Sequence, residues 1–126
     1  MATEKKSVLI VEDDAALRKV LIDKLTSEGF DVFGAVNGEE GLKVAEEKHP
    51  SLVLLDIFMP IMDGVTMLSK LRGSNAWGKH VIVLILTNSI DAQTIAKVSG
   101  LGAADFMIKS EWSLDALVSR IRERLV

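Results

Sequence analysis

Residues 8–14 read Val-Leu-Ile-Val-Glu-Asp-Asp, four apolar residues that meet three acidic ones without a spacer. A short β-branched run of this kind reads as a strand buried on both faces. From Asp14 the period changes, and Leu17, Val20, Leu21 and Leu25 fall on one helical face that stops near Gly29. Buried strand followed at once by amphipathic helix is the unit that the rest of the chain repeats.

Phe30 to Val36 reads as a second strand, weakened by Gly34. Asn37, with Glu40 three residues on, marks a helix start, and that helix runs to about Lys48, before Pro50. Leu52 to Leu55 is a third buried strand, followed by a loop holding Pro60 and Gly64. A helix over about Val65 to Arg72 turns Leu68 and Leu71 inward, and Gly73 to Lys79 reads as a polar turn. Val81 to Leu86 is a fourth strand, about Asp91 to Ser99 a helix, and Gly100 and Gly102 a break before a strand at Asp105 to Ile108. The last helix starts at Ser113 and lines up Leu114, Leu117, Val118, Ile121 and Leu125. Five strands alternating with five helices imply a parallel sheet, covered on both faces by right-handed crossovers. Ligands of such sheets bind beyond the carboxyl ends of the strands.

The 126 residues suit one domain, expected over 1–126 with its core at about 7–125. Without cysteine there is no disulfide framework and no thiolate site. Fifteen basic against 18 acidic residues leave no basic excess to attract nucleic acid. Arg120, Arg122 and Arg124 are interrupted by Glu123 and read as a solvated helix face. Met1 to Ser7 is polar, and Val8 to Val11 is far too short for a signal peptide or a membrane span. The expectation is a cytoplasmic monomer with no membrane contact. The sequence ends at Val126, just after the last helix, as a stand-alone domain or an excised piece would.

The strand ends carry Glu12-Asp13-Asp14, Asp56, Thr87-Asn88-Ser89 and Ile108-Lys109-Ser110. Taken singly, Asp14 is as well read as a helix cap, Asp56 as turn chemistry and Lys109 as solvated. A parallel sheet gathers them, and gathered carboxylates repel unless a cation offsets them. His49 and His80 lie outside the set, so zinc is poorly served, whereas magnesium takes one or two carboxylates and leaves room for phosphate oxygens. A carboxylate can attack phosphorus, provided the charge on the transferred group is neutralised. Asp56, a cation on Asp13, Lys109 and Thr87 would supply that chemistry.

Residues 8–14, the segment Leu54-Leu-Asp-Ile-Phe-Met-Pro-Ile-Met-Asp-Gly64, Leu86-Thr87 and Gly102-Ala-Ala-Asp-Phe-Met-Ile-Lys109 together resemble the CheY-like receiver domains of bacterial two-component response regulators. The resemblance spans nearly the whole chain. It implies the flavodoxin-like, doubly wound α/β fold with strand order 2-1-3-4-5. It implies that Asp56 accepts a phosphoryl group from a histidine kinase or a histidine phosphotransfer protein. Mg2+ would be held by Asp13, by Glu12 mainly through water, by Asp56, and by the backbone carbonyl of Phe58. Lys109 would pair with the phosphoryl oxygens. Thr87 would turn its hydroxyl to them and Phe106 would swing into the vacated space, although Phe106 also reads as a plain core aromatic. The surface of the fourth helix, fifth strand and fifth helix would then meet a downstream effector, and the protein would signal rather than turn over a substrate.

Four positions depart from the family's pattern. Ser110 stands where proline, often cis, follows the lysine; Phe106 stands where tyrosine is common; Asn88 is larger than usual; and Phe58 is bulky and apolar. Phe58 is expected to shield an acyl phosphate from water. It also argues against a phosphatase of the haloacid-dehalogenase type, which needs an aspartate there. Glu12-Asp13-Asp14 would repel the phosphate of a flavin carrier. A degenerate receiver, serving as an unphosphorylated interaction module, is the remaining alternative, and retention of Asp13, Asp56, Thr87 and Lys109 speaks against it. Trp112, just before the last helix, reads equally as a partner-facing residue or as a staple packing near Leu117.

Overall fold

The structure is a computed structural model that describes residues 5–88 and 91–125. The expectations for Met1 to Glu4, for Ser89 and for Val126 lie outside the described residues. Five strands, β1 (Ser7–Val11), β2 (Asp31–Ala35), β3 (Leu52–Leu55), β4 (Ile82–Thr87) and β5 (Asp105–Ile108), form one parallel sheet in the order β2-β1-β3-β4-β5. The helices are α1 (Ala15–Ser27), α2 (Gly38–Lys48), α3 (Gly64–Ser74), α4 (Ala76–His80), α5 (Ala92–Gly100) and α6 (Leu114–Arg124), with a 3-10 turn at Lys109–Glu111. The doubly wound fold expected from the alternation is present. No helix among the described residues is long and apolar enough to cross a membrane.

Strand side chains alternate between two apolar layers, which is why the strands read as unbroken hydrophobic runs. Leu9, Val11, Val53, Leu55, Val83 and Ile85 pack under Met67, Leu68, Leu71 and Val98 of α3 and α5. Val8, Ile10, Leu52, Leu54, Leu84 and Leu86 pack on the other face, against Leu21 and Leu25 of α1 and Leu117, Val118 and Ile121 of α6. Side-chain caps start the helices: Asp14, Asn37, Asp63, Asn75, Asp91 and Ser113 each accept from a backbone N–H one turn in.

Two sequence expectations need correction. The stretch Gly73 to Lys79 is not simply a turn: Gly73 and Ser74 finish α3, and Asn75 caps the extra helix α4 through Gly78 N–H at 2.8 Å. A side chain at Gly78 would meet the Leu71 carbonyl oxygen at 2.2 Å, so this glycine lets α4 press against α3. Val20 is 45% exposed, because the buried stripe of α1 runs through Leu21 and Leu25 with Ile22 packed beside them. Gly34, which weakened the second strand on paper, lies where a Cβ would stand 2.9 Å from Ile22 Cδ1. Its bareness brings α1 close to β2.

At the amino ends of β4 and β5 one side chain holds three segments. Arg72 Nε donates to Leu101 O (2.7 Å), Nη1 to Gly78 O (3.0 Å) and Val81 O (2.7 Å), and Nη2 to Gly102 O (3.1 Å). These carbonyls belong to α4, the entry to β4 and the turn after α5, where helix ends leave acceptors without intrahelical donors. Arg72→Met should lower the unfolding free energy by about 2–4 kcal/mol, since hydrogen bonds to a charged group are the stronger kind and the carbonyls lose their donor. Urea unfolding, with the midpoint shifted and the slope unchanged, checks it.

Candidate functional site

The sheet register builds the site. Val11 of β1 stands beside Leu55 of β3, so the residues that follow, Glu12 and Asp56, leave the sheet as neighbours. Glu12 N–H donates to Ala35 O (3.0 Å) and Asp56 N–H to Val11 O (3.0 Å), extending the ladder one step past the strands. Thr87 of β4 pairs with Ile108 of β5, and Lys109 follows directly. A single crevice of about 510 Å³ is lined by Glu12, Asp13, Asp14, Asp56, Phe58, Asn88, Lys109 and Trp112, among others.

Glu12 and Asp56 are buried, and Asp13 is exposed at the mouth. One carboxylate oxygen from each lies within 4.8 Å of the others, a set that could hold a hard cation. Asp14 is spent elsewhere: its Oδ1 accepts from Ala16 N–H (3.0 Å) and Leu17 N–H (3.1 Å), which decides its reading in favour of the cap. Asp56 Oδ1 accepts from Ile57 N–H at 2.8 Å, which fixes the carboxylate plane and turns Oδ2 toward Lys109 Nζ at 3.3 Å. The same ammonium pairs with Glu12 Oε1. Burial pushes the Glu12 carboxyl up to about 7, with Lys109 pulling it down and Asp56 adding to the rise. Burial works against the Lys109 ammonium, but its bonds to Glu12 and Asp56 outweigh that and raise it.

A family model for the response regulator receiver domain matches residues 8–122. The chain belongs to that family. It is 36% identical over 127 residues to the probable transcriptional regulator ycf27 of Pyropia yezoensis, a match covering 99% of this chain and 49% of that protein. It is also 36% identical to the DNA-binding response regulator MtrA of Mycobacterium bovis, over 99% of this chain and 53% of that one. The chain thus spans about half the length of the curated relatives it matches. Its fold is similar to that of a CheY-like receiver domain protein from Methanospirillum hungatei JF-1, with a TM-score of 0.90 and 27% identity over 97% of this chain and 94% of the other.

In this receiver domain Glu12, Asp13, Asp56 and Lys109 come together as the sequence implied. Thr87 is fully buried at the end of β4. Phe58 is 59% exposed on the crevice rim, and Phe106 is 38% exposed on β5, which removes its reading as a plain core aromatic. The peptide between Lys109 and Ser110 is trans, and the 3-10 turn beginning at Lys109 still delivers the ammonium to the acids. Asn88 and Trp112 line the crevice, a role the sequence did not assign to Trp112. The available signal was spacing, since Trp112 lies one short turn beyond Lys109.

Lys109→Met leaves two buried carboxylates without their cation, so the metal-free protein should lose about 3–5 kcal/mol. The loss should be larger at pH 8 than at pH 5, because Glu12, raised to about 7, takes up a proton on acidification and sheds the uncompensated charge. Chemical denaturation of both proteins at the two pH values checks the sign.

Proposed function

We propose that this receiver domain accepts a phosphoryl group on Asp56 from the phosphohistidine of a histidine kinase or a histidine phosphotransfer protein. The observation that carries the reading is the Asp56 carboxylate, oriented by Ile57 N–H and held between the acids Glu12 and Asp13 and the Lys109 ammonium. The Asp56 oxygen bonds to phosphorus as the bond from phosphorus to the donor's ring nitrogen breaks, and the electron pair leaves with the imidazole. Asp13, Asp56 and the Phe58 carbonyl, with Glu12 behind them, would hold Mg2+, which when bound supplies positive charge for the transferred oxygens. Lys109 exchanges its bond to Asp56 Oδ2 for the phosphoryl oxygens.

Thr87 then brings its hydroxyl toward the phosphoryl group, and Phe106 follows inward from its exposed position on β5. That movement changes the face made by α5, β5 and α6, the expected fourth helix, fifth strand and fifth helix, and a downstream effector reads it. The domain works as a cytoplasmic monomer, without direct contact to nucleic acid or membrane, and signals without turning over a substrate. The complete acid–lysine set favours this over the degenerate, unphosphorylated module.

Incubation with acetyl phosphate and magnesium should add the mass of one phosphoryl group, and the gain should disappear in Asp56→Asn or when magnesium is chelated. An unchanged intact mass in the wild-type chain would return the reading to the degenerate module. Phe58 puts an apolar side chain on the rim of the crevice that holds the acceptor, so Phe58→Asn should admit water and speed loss of the phosphoryl group several-fold. Following the phosphorylated mass over time after the donor is removed measures it.

A further inference from the structure

Trp112 stands apart from the phosphoacceptor set, yet three observations converge on it. Its ring lines the acidic crevice and also a separate groove bounded by Phe106, Met107, Ile108, Glu111 and Arg120. Its Nε1–H is buried and finds no acceptor among the described residues. It immediately follows the Lys109–Glu111 turn and precedes Ser113, whose side chain caps α6 through Ala116 N–H at 3.1 Å.

A buried donor left unpaired costs more than a made hydrogen bond returns, so this arrangement favours any state that supplies an acceptor. Of the carboxylates in the crevice, Glu12 is bonded to Lys109 and Asp14 N–H, Asp56 to Lys109 and Ile57 N–H, and Asp14 to the start of α1, while Asp13 is exposed at the mouth. New acceptor oxygens enter with a phosphoryl group. Lys109 moves at the same moment, and only the two residues of the turn separate it from Trp112.

We propose that Trp112 is a positioning residue of the switch: filling the crevice shifts its ring, its indole N–H gains an acceptor, and the shared wall reshapes the groove beside Phe106 and the start of α6. The proposal rests on the phosphoacceptor reading of Asp56 and adds a second route beside that through Thr87 and Phe106. Here Ser110 replaces the family's usual proline, and the 3-10 turn it belongs to joins Lys109 to Trp112.

The test uses the full chain carrying Trp77→Phe, so that one indole remains, with magnesium and beryllofluoride standing in for the phosphoryl group. Fluorine NMR reports uptake, and nitrogen-edited proton NMR reports the indole. The expected result is uptake with the indole proton moved downfield and its solvent exchange slowed about tenfold, the effect of gaining a hydrogen bond. In Trp112→Phe, which keeps a ring and lacks the donor, the amide shifts at Phe106 and Arg120 should shrink relative to that at Thr87. Uptake with an unmoved indole, or with undiminished groove shifts in Trp112→Phe, overturns the proposal and leaves the phosphoacceptor reading intact. No uptake at all overturns both.

Discussion

Like charges held together at one edge of the sheet are the constraint from which the rest follows. Parallel pairing of β1 with β3 leaves Glu12 and Asp56 no choice but to emerge side by side, buried. Two carboxylates in that position are tolerable only with positive charge in reach, and β5 provides it by ending at Lys109. The fold thus sets a repulsion between buried acids against a flexible side chain that holds it in check. A dication bound there would compete with that side chain for the same oxygens and would leave the ammonium free for incoming anionic oxygens. The cost of burying the acids and the capacity to receive a charged group have one origin.

Most of the architecture was legible because the central strands β1, β3 and β4 are apolar on both faces, the pattern of a sheet covered twice. The acidic ends were legible for the same reason: once the strands are parallel, their last residues share an edge. Asp14 could not be assigned from the sequence, since capping and ligation both favour an aspartate after a strand, and only its bonds to Ala16 and Leu17 separate the two. The short helix α4 was missed because Gly78 is a helix breaker by propensity and a packing requirement by position. Val20 was assigned to the core by period alone, which cannot say how wide an arc a helix buries.

The residues around the crevice illustrate a different limit. Phe106 carries the same apolar signal as its neighbours in β5, yet on an edge strand one face can stay open, and its ring occupies that face. Trp112 joined the crevice through a turn that no periodicity announces. Ser110 stands where the family usually has proline, and a trans peptide followed by one tight turn still brings Lys109 to the acids.

Among the described residues, Arg72 bonds only to main-chain oxygens, at Gly78, Val81, Leu101 and Gly102. Such a clasp is blind to the identity of the amino acids it fastens, since every residue offers the same oxygen. Away from Gly78, where α3 leaves no room for a side chain, and Gly102, at φ +78°, the connecting segments at this pole can therefore change in sequence and stay anchored, while the tolerance for change at the anchoring residue itself is small. Variation is permitted around a fixed pin, at the pole opposite the reactive edge, where it leaves the chemistry undisturbed.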